Sequence, residues 1–333
     1  MGDQPQSLSV VIPAYNASAT IGECLQALEQ QSVPRGEYEV IVVDDGSTDG
    51  TGEIASQHGA LVLRQANSGP AEARNKGIAV AHGAMILFTD ADCAPAPNWI
   101  AEMTAPLADA RIAGVKGVYR TRQKNLLARF VQIEYEDRYD HTARQQYVDF
   151  IDTYAAAYRR DVLLASGGFD PHIRVDEDQE LSFRLAEAGH KMVFNPRAIV
   201  YHRHSESWRK YLRRKYSFGY WKTLVLRLHP SKAWRDSHTP WNLKLQLPLV
   251  AISAPLALLS FWNRIGLYLL WVALAAFVAT AMPFVVKAWR RDRPVAFLCL
   301  PALYVRAWAL GLGFAAGNLV ALCKRGPASH RAA

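Results

Sequence analysis

Met85-Ile86-Leu87-Phe88-Thr89-Asp90-Ala91-Asp92 is the stretch that decides how the chain is read. Its first four residues form an apolar run of strand length, and the run ends in two carboxylates one residue apart. Such an end is a place to hold a divalent cation. Hard ions such as Mg2+ and Mn2+ take oxygen ligands, usually one or two carboxylates plus substrate phosphates. An isolated Asp-x-Asp also serves as a turn or a helix cap, so the surrounding pattern has to choose between these uses.

Three upstream runs have the same design. Residues 8–12 lead into Pro13-Ala14-Tyr15-Asn16, and residues 39–43 lead into Asp44-Asp45-Gly46-Ser47-Thr48-Asp49. Residues 61–63 lead into Asn67-Ser68-Gly69-Pro70. Each run is short, bounded by turn residues and followed by a helical pattern. Thr20 with Glu23 has the spacing of a capping box ahead of Ile21, Leu25 and Leu28. Further helices are expected from about Thr51 and from Ser68-Gly69-Pro70, the latter carrying residues 71–81. Alternating strands and helices predict an α/β fold with a mostly parallel, Rossmann-like sheet covered on both faces. Ligands in such sheets sit beyond the carboxyl ends of the strands, where all four polar loops fall, and a nucleotide site is expected there.

Ser9-Val10-Val11-Ile12-Pro13-Ala14-Tyr15-Asn16, Val43-Asp44-Asp45-Gly46-Ser47-Thr48-Asp49 and Thr89-Asp90-Ala91-Asp92 together resemble family 2 inverting glycosyltransferases of the GT-A fold. Gly69-Pro70-Ala71-Glu72-Ala73-Arg74-Asn75, Gly167-Gly168-Phe169-Asp170 and Glu177-Asp178 extend the resemblance over roughly residues 7–205. It implies a nucleoside diphosphate sugar donor, UDP favoured and GDP second, and a divalent cation, Mg2+ or Mn2+. Asp45 would contact the nucleobase with Asp44 beside it, and Pro13, Ala14 and Tyr15 would line base and ribose. Read as residues alone, Asp44, Asp45 and Asp49 equally suit turns and N-caps. Arg74 would lie near the diphosphate. Asp92 is the expected metal ligand, with Asp90 close to the ribose or a metal-bound water, and His202 the candidate third ligand.

Asp176-Glu177-Asp178 precedes Leu181, Leu185 and Ala188 at helical spacing. Acids opening a helix favour its dipole by themselves. Inverting transfer needs one general base, and the resemblance assigns it to Asp178, with Glu177 as the alternative. The departing diphosphate needs its charge stabilised, which is the cation's part. Residues 112–160, including 117–122 and Arg159-Arg160, are expected to face the acceptor.

Charge divides the chain. Residues 206–333 carry 19 Lys and Arg against 3 Asp and Glu, whereas residues 1–205 carry 19 against 27. A basic tail could serve nucleic acid, but this one is also strongly apolar, which points to membrane and to no nucleic acid. Residues 243–260 and 265–286 are long apolar stretches, the second without charge over 22 residues and long enough to span. Phe261-Trp262-Asn263-Arg264 would join them in a tight hairpin. Lys287-Ala288-Trp289-Arg290-Arg291-Asp292-Arg293-Pro294 reads as a cytoplasmic loop by the positive-inside rule. Residues 295–323 contain Pro301, Arg306 and Gly311-Leu312-Gly313. They span, or they begin as an interfacial helix with Arg306 reaching the headgroups; Lys324-Arg325 favours the cytoplasm, so two and three spans both stay open. Trp208, Tyr211, Leu212, Phe218, Trp221, Val225 and Leu228, interleaved with Lys and Arg, have the pattern of a basic amphipathic helix in the headgroup region.

Three segments result: a catalytic domain over 1–205, an interfacial segment over 206–241 and a membrane domain over 242–333. Met1-Gly2-Asp3-Gln4-Pro5-Gln6-Ser7 shows no signal peptide and no myristoylation pattern, so the catalytic domain is expected on the cytoplasmic side of the inner membrane. Cys24, Cys93, Cys299 and Cys323 show no pairing or metal spacing and are expected as reduced thiols.

The expected activity is transfer of one sugar to a lipid or lipid-linked acceptor in cell-envelope glycan synthesis. A processive synthase is disfavoured. Tyr211-Leu212-Arg213-Arg214-Lys215-Tyr216 lacks the Gln and the Trp of the synthase Gln-x-x-Arg-Trp element, and two or three spans make a poor channel. A non-catalytic membrane scaffold is disfavoured by Asp45, Asp90, Asp92 and Asp178 standing together. A sugar-nucleotide pyrophosphorylase would need a Gly-rich phosphate loop, which residues 13–18 do not provide.

Overall fold

Val10, Val11 and Ile12 are completely buried, and each contributes about 1.5–3 kcal/mol of transfer free energy, so the first apolar run becomes a central strand. The computed structural model describes residues 7–233 and 236–323. The expectations placed on residues 1–6 and on Lys324-Arg325 lie outside the described residues. The chain begins with β1 (Leu8–Ala14), α1 (Ile21–Glu29), β2 (Tyr38–Asp44), α2 (Thr51–Gln57) and β3 (Leu61–Arg64). It continues through α3 (Pro70–Val80), β4 (Met85–Phe88), β5 (Cys93–Pro95), α4 (Trp99–Thr104) and β6 (Ile112–Arg120). Next come α5 (Leu126–Thr142), β7 (Ala156–Arg159), α6 (Arg160–Ala165), α7 (Glu177–Glu187) and β8 (Lys191–His202).

The strands form one sheet in the order β3-β2-β1-β4-β7-β6-β8-β5. β3, β2, β1 and β4 run parallel, and so do β6 and β8. β7 enters antiparallel between β4 and β6, and β5 pairs antiparallel with β8. The sheet is mostly parallel, as expected, and it is curled; the two antiparallel strands lie downstream of the regular alternation. Ile21, Leu25 and Leu28 of α1 pack with Trp99 and Met103 of α4 in one core cluster. Ala71 and Ile78 of α3 pack with Phe169 and Leu181 in a second.

Thr20 is the N-cap of α1, but the capping box does not form. Its hydroxyl donates to Ala17 O at 3.3 Å, because the preceding loop turns tightly enough to offer that carbonyl first.

The described chain divides into two compact units, one of residues 7–124, 131–204 and 236–238, the other of 125–130, 205–233 and 239–323. The second contains α8 (Trp208–Leu228), α9 (Trp241–Leu259), α10 (Arg264–Arg291) and α11 (Arg293–Cys323). The last three are long and apolar enough to cross a membrane. The expected basic loop is helical instead. α10 runs through Arg291, a favourable place for cations at a helix C-terminus, and α11 starts at Arg293 with Pro294 in its first turn. Arg129 donates from Nε and Nη2 to the Asp292 carboxylate at 2.6 and 2.5 Å. Arg306 is buried and donates to Gln246 Oε1 of α9 at 2.8 Å, so it points to a neighbouring helix and not to headgroups.

The buried stripe of α8 also differs from the apolar pattern. It runs through Tyr211, Lys215, Gly219 and Thr223, one residue every helical turn, with Val225 beside it, so only Tyr211 and Val225 of the expected apolar set are buried. α8 lies against α11, where Gly313 lets the backbones touch; a Cβ there would collide with Tyr216 O. Small residues at the closest approach, Gly219 and Gly313, are selected by helix-on-helix packing, which hydrophobic periodicity alone does not report.

Candidate active site and metal centre

The loops after β1, β2, β3 and β4 are tied to one another at the carboxyl end of the sheet. Ala17 N donates to Thr51 Oγ1 at 2.8 Å, Ser18 N to Asp49 Oδ2 at 3.0 Å, and Thr48 N to Asn16 Oδ1 at 3.0 Å. The Thr51 hydroxyl and then the Ser18 N–H hold the Asp49 carboxyl down to about 2. Tyr15 stands exposed on this rim, following Pro13 and Ala14.

Asp44 and Asp45 separate into different environments. Asp44 is buried; it accepts from Ser47 N at 2.9 Å and faces Arg64 Nε at 3.3 Å. Asp45 accepts from Gln65 Nε2 at 2.7 Å and Ser68 N at 2.8 Å on Oδ1, and from Gly69 N at 2.9 Å on Oδ2. It thereby fixes the loop that opens α3. A carboxylate has about four acceptor positions, and these three bonds leave capacity on Oδ2.

Arg74, buried on α3, joins the two acidic motifs. Nη2 donates to Asp90 Oδ1 at 3.0 Å and Nη1 to Glu177 Oε1 at 2.6 Å. Residues 87 and 103 positions apart in sequence thus become one electrostatic unit with Arg74 at its centre. Asn75 completes the bracket. It accepts from Phe169 N and donates to Phe169 O, both at 2.8 Å, holding Gly167-Gly168-Phe169-Asp170 in place. Gly168 has φ +69° and sits against Asn75, where a Cβ would collide with its Oδ1.

α7 starts from Asp176 in the left-handed region, at φ +66°. That conformation is uncommon for a residue other than glycine and is a mark of functional loops. The next two residues diverge: Glu177 is paired with Arg74, whereas Asp178 accepts from Gln179 N at 2.8 Å and Thr153 N at 3.4 Å. Burial first, then the charges of Glu177, Asp152 and Asp176, push the Asp178 carboxyl well above the usual carboxylate range.

Asp92 Oδ1 lies 3.4 Å from His202 Nδ1. An oxygen and an imidazole nitrogen facing each other beside a rim open to solvent fit a divalent cation such as Mn2+. His202 is positioned by its place opposite Cys93 in the β5–β8 pair and by Tyr119, whose ring stacks on it at 4.5 Å. His204 is distinct: it stacks on Tyr135 and meets Gln132 Oε1 at 3.0 Å, inside the domain. Cys93, expected as an isolated thiol, stands beside Asp92 and His202. Burial, then the Asp92 and Asp90 charges, raise its thiol well above the ordinary value.

Other sequence expectations shift. Arg159 donates to the carbonyls of Ile112, Leu107 and Asp109, so it braces the fold instead of meeting an acceptor. Gly117 is packed against Ala198 O and Ala155. Sequence reasoning missed a buried network in which Lys116 pairs with Asp152, Tyr154 Oη donates to Asp152 at 3.2 Å, and Tyr139 Oη meets Tyr154 Oη at 2.7 Å. A lysine inside the apolar β6 segment was its only signal.

Residues 9–165 match the family model described as Glycosyl transferase family 2. This part of the chain is a family 2 glycosyltransferase domain. The glycosyltransferase AglE of Haloferax volcanii is 31% identical over 199 residues, 56% of this chain and 64% of that protein. The pre-mycofactocin glycosyltransferase of Mycobacterium tuberculosis is 28% identical over 241 residues, 69% of this chain and 50% of that protein. The chain therefore spans about half to two thirds of the length of these relatives. A mannosyltransferase of Pyrobaculum calidifontis, solved with GDP-Man and Mn2+, superposes with a TM-score of 0.59 at 22% identity, covering 97% of this chain and 88% of that one. That likeness establishes the GT-A arrangement of the transferase domain.

Proposed function

We propose that the protein is a membrane-bound, metal-dependent inverting glycosyltransferase that moves a sugar from a nucleoside diphosphate sugar to a lipid or lipid-linked acceptor. The observation that carries this reading is the Arg74 bridge, which brings the Asp90-Ala91-Asp92 loop and the Glu177-Asp178 loop to one place. Pro13, Ala14, Tyr15 and Asp45 bound the space for base and ribose, and Asp44 supports their loop from inside. Asp92 and His202 would hold Mg2+ or Mn2+, with Asp90 alongside, and the ion supplies charge stabilisation to the departing diphosphate.

Asp178 is the base. It takes the proton of the acceptor hydroxyl while that oxygen bonds to the anomeric carbon and the bond to the diphosphate breaks on the opposite face. Its raised proton affinity suits this role, since a base works best when its pKa approaches the working pH. Glu177 is engaged with Arg74 and is the weaker choice. Three apolar helices support a lipidic acceptor and membrane residence. Lys287, Arg290, Arg291 and Arg293 cluster at the junction of α10 and α11, which favours the cytoplasmic face of the inner membrane for that end.

The test is a panel of UDP- and GDP-sugars offered to purified protein in detergent with added envelope lipid and Mg2+ or Mn2+. Nucleoside diphosphate release is expected from one donor, lost in Asp92→Ala and reduced about 10²–10⁴-fold in Asp178→Asn. Full acceptor-dependent transfer by Asp178→Asn would remove it as base. Turnover of no donor would remove the transferase reading.

A further inference from the structure

Three unlike donor atoms meet where β5 begins and β8 ends. Asp92 Oδ1 and His202 Nδ1 are 3.4 Å apart, and Cys93 Sγ lies 3.7 Å from the first and 3.9 Å from the second. Tetrahedral Zn2+, with bonds of about 2.3 Å to sulfur and about 2.0–2.2 Å to nitrogen and oxygen, separates its ligand atoms by about 3.3–3.7 Å. The three observed separations match one face of that tetrahedron to within a few tenths of an ångström. Mg2+ instead asks for near-octahedral oxygen at about 2.0–2.1 Å, and a thiol contributes nothing to such a shell.

The donors are held before any ion arrives. Cys93 and His202 are paired across β5 and β8, so their side chains share one face of the sheet. Tyr119 stacks on the His202 ring at 4.5 Å, and its hydroxyl lies 4.0 Å from Cys93 Sγ. Cys93 and His202 are buried, whereas the Asp92 side chain is 47% exposed. The open side is therefore the one through which an ion enters, and it leaves a fourth position for water or a phosphate oxygen.

We propose that Asp92, Cys93 and His202 form a thiolate-containing site for a borderline divalent ion, with Zn2+ as its type, in competition with the hard ion that supports transfer. Sulfur and imidazole select Zn2+ over Mg2+ and Mn2+ by softness, and the general affinity order of divalent metals runs the same way. On coordination the Cys93 S–H proton leaves to solvent, one metal–sulfur bond forms, and no electron is transferred. Asp92 and His202 are then drawn into a tetrahedral shell, so the hard ion and Zn2+ exclude each other. The exclusion from transfer rests on the proposed function; the binding itself does not.

The experiment uses the whole 333-residue chain in detergent, stripped of metal and titrated with Co2+ as a spectroscopic substitute, then with Zn2+. One Co2+ per chain is expected, with tetrahedral ligand-field bands and a near-ultraviolet sulfur-to-cobalt charge-transfer band that Zn2+ abolishes. Cys93→Ser should lose the charge-transfer band and weaken Zn2+ binding at least about tenfold, the smallest loss seen even for outer-shell partners of a metal. Cys24→Ser and Cys323→Ser should keep both. X-ray absorption of the Zn2+-loaded wild type, which needs no variant to fold, should show one sulfur at about 2.3 Å. A first shell without sulfur, or a charge-transfer band that survives in Cys93→Ser, overturns the site. In the same preparation, micromolar Zn2+ should suppress Mn2+-supported nucleoside diphosphate release. A sulfur-ligated ion in a protein that turns over no donor would leave the site standing and remove the transferase reading. Turnover with Mn2+ and no sulfur ligation would do the reverse.

Discussion

Arg74 carries one positive charge between Asp90 and Glu177, and its guanidinium and the Glu177 carboxylate are both almost entirely buried. Removing one partner of a buried pair leaves the other charged and desolvated, at a cost of about 3–5 kcal/mol. We expect Arg74→Ala to lose that much stability, read by denaturant unfolding, along with donor turnover. A stability change within the ordinary surface range of about 0.5 kcal/mol would show that the bridge is not the site's organising contact. Asp178 is the opposite case, an acid whose folded-state proton affinity is raised. Between its unfolded and folded pKa values the folded state binds more protons, so its contribution to stability is present at low pH and falls as pH rises through that interval. The catalytic rate should move the other way, rising with pH as the base form appears. Both slopes should vanish in Asp178→Asn; an activity profile flat through the upper carboxylate range and beyond in the wild type would deny Asp178 the role.

At the scale of elements, the junctions rather than the helices and strands themselves hold the site. Asp45 ties the loop after β2 to the start of α3, and Asn75 ties α3 to the Gly167-Gly168 turn. β5 and β8 bring Cys93 and His202 side by side although 109 positions separate them. Among the helices, α8 and α11 meet through Gly219 and Gly313, where backbone approaches backbone. Gly313→Leu should destabilise this pair by about 1–3 kcal/mol or more, the usual cost of overpacking, and lower the thermal midpoint in detergent. An unchanged midpoint would mean that α8 and α11 part readily. The buried face of α8, Tyr211, Lys215, Gly219, Thr223 and Val225, is taken up by helix packing, while Trp208, Phe218, Trp221 and Leu228 of the expected apolar set stay outside it.

For the whole molecule, charge and hydropathy are distributed along the chain in a way that one soluble globule does not require. The basic residues concentrate after position 205, together with three helices long enough to cross a bilayer. A protein held only by electrostatics leaves a membrane in high salt, since exposed charges are screened beyond about 10 Å at 0.1 M. One held by spanning helices does not. We expect the protein to stay in the membrane pellet through high salt and alkaline carbonate and to be released by detergent. Release by salt alone would reduce α9, α10 and α11 to a soluble helical domain.

The sequence by itself determined the alternation of strand and helix, the four loops at the strand ends, the family resemblance and the apolar helices. These follow from local periodicity and from motifs of contiguous residues, which need no knowledge of distant partners. Only the tertiary structure decided what each charged residue faces. Asp44 and Asp45 are adjacent yet turn to different partners, because neighbouring residues at a strand end point to opposite sides. Glu177 and Asp178 likewise divide, one taken by Arg74 and the other left among backbone N–H groups and like charges. The antiparallel entry of β7 and β5 was hidden because short strands carry no record of direction in their side chains. Cys93 shows the same limit most plainly: its neighbour Asp92 is contiguous, but His202 reaches it only through strand register, which is set by long-range backbone pairing.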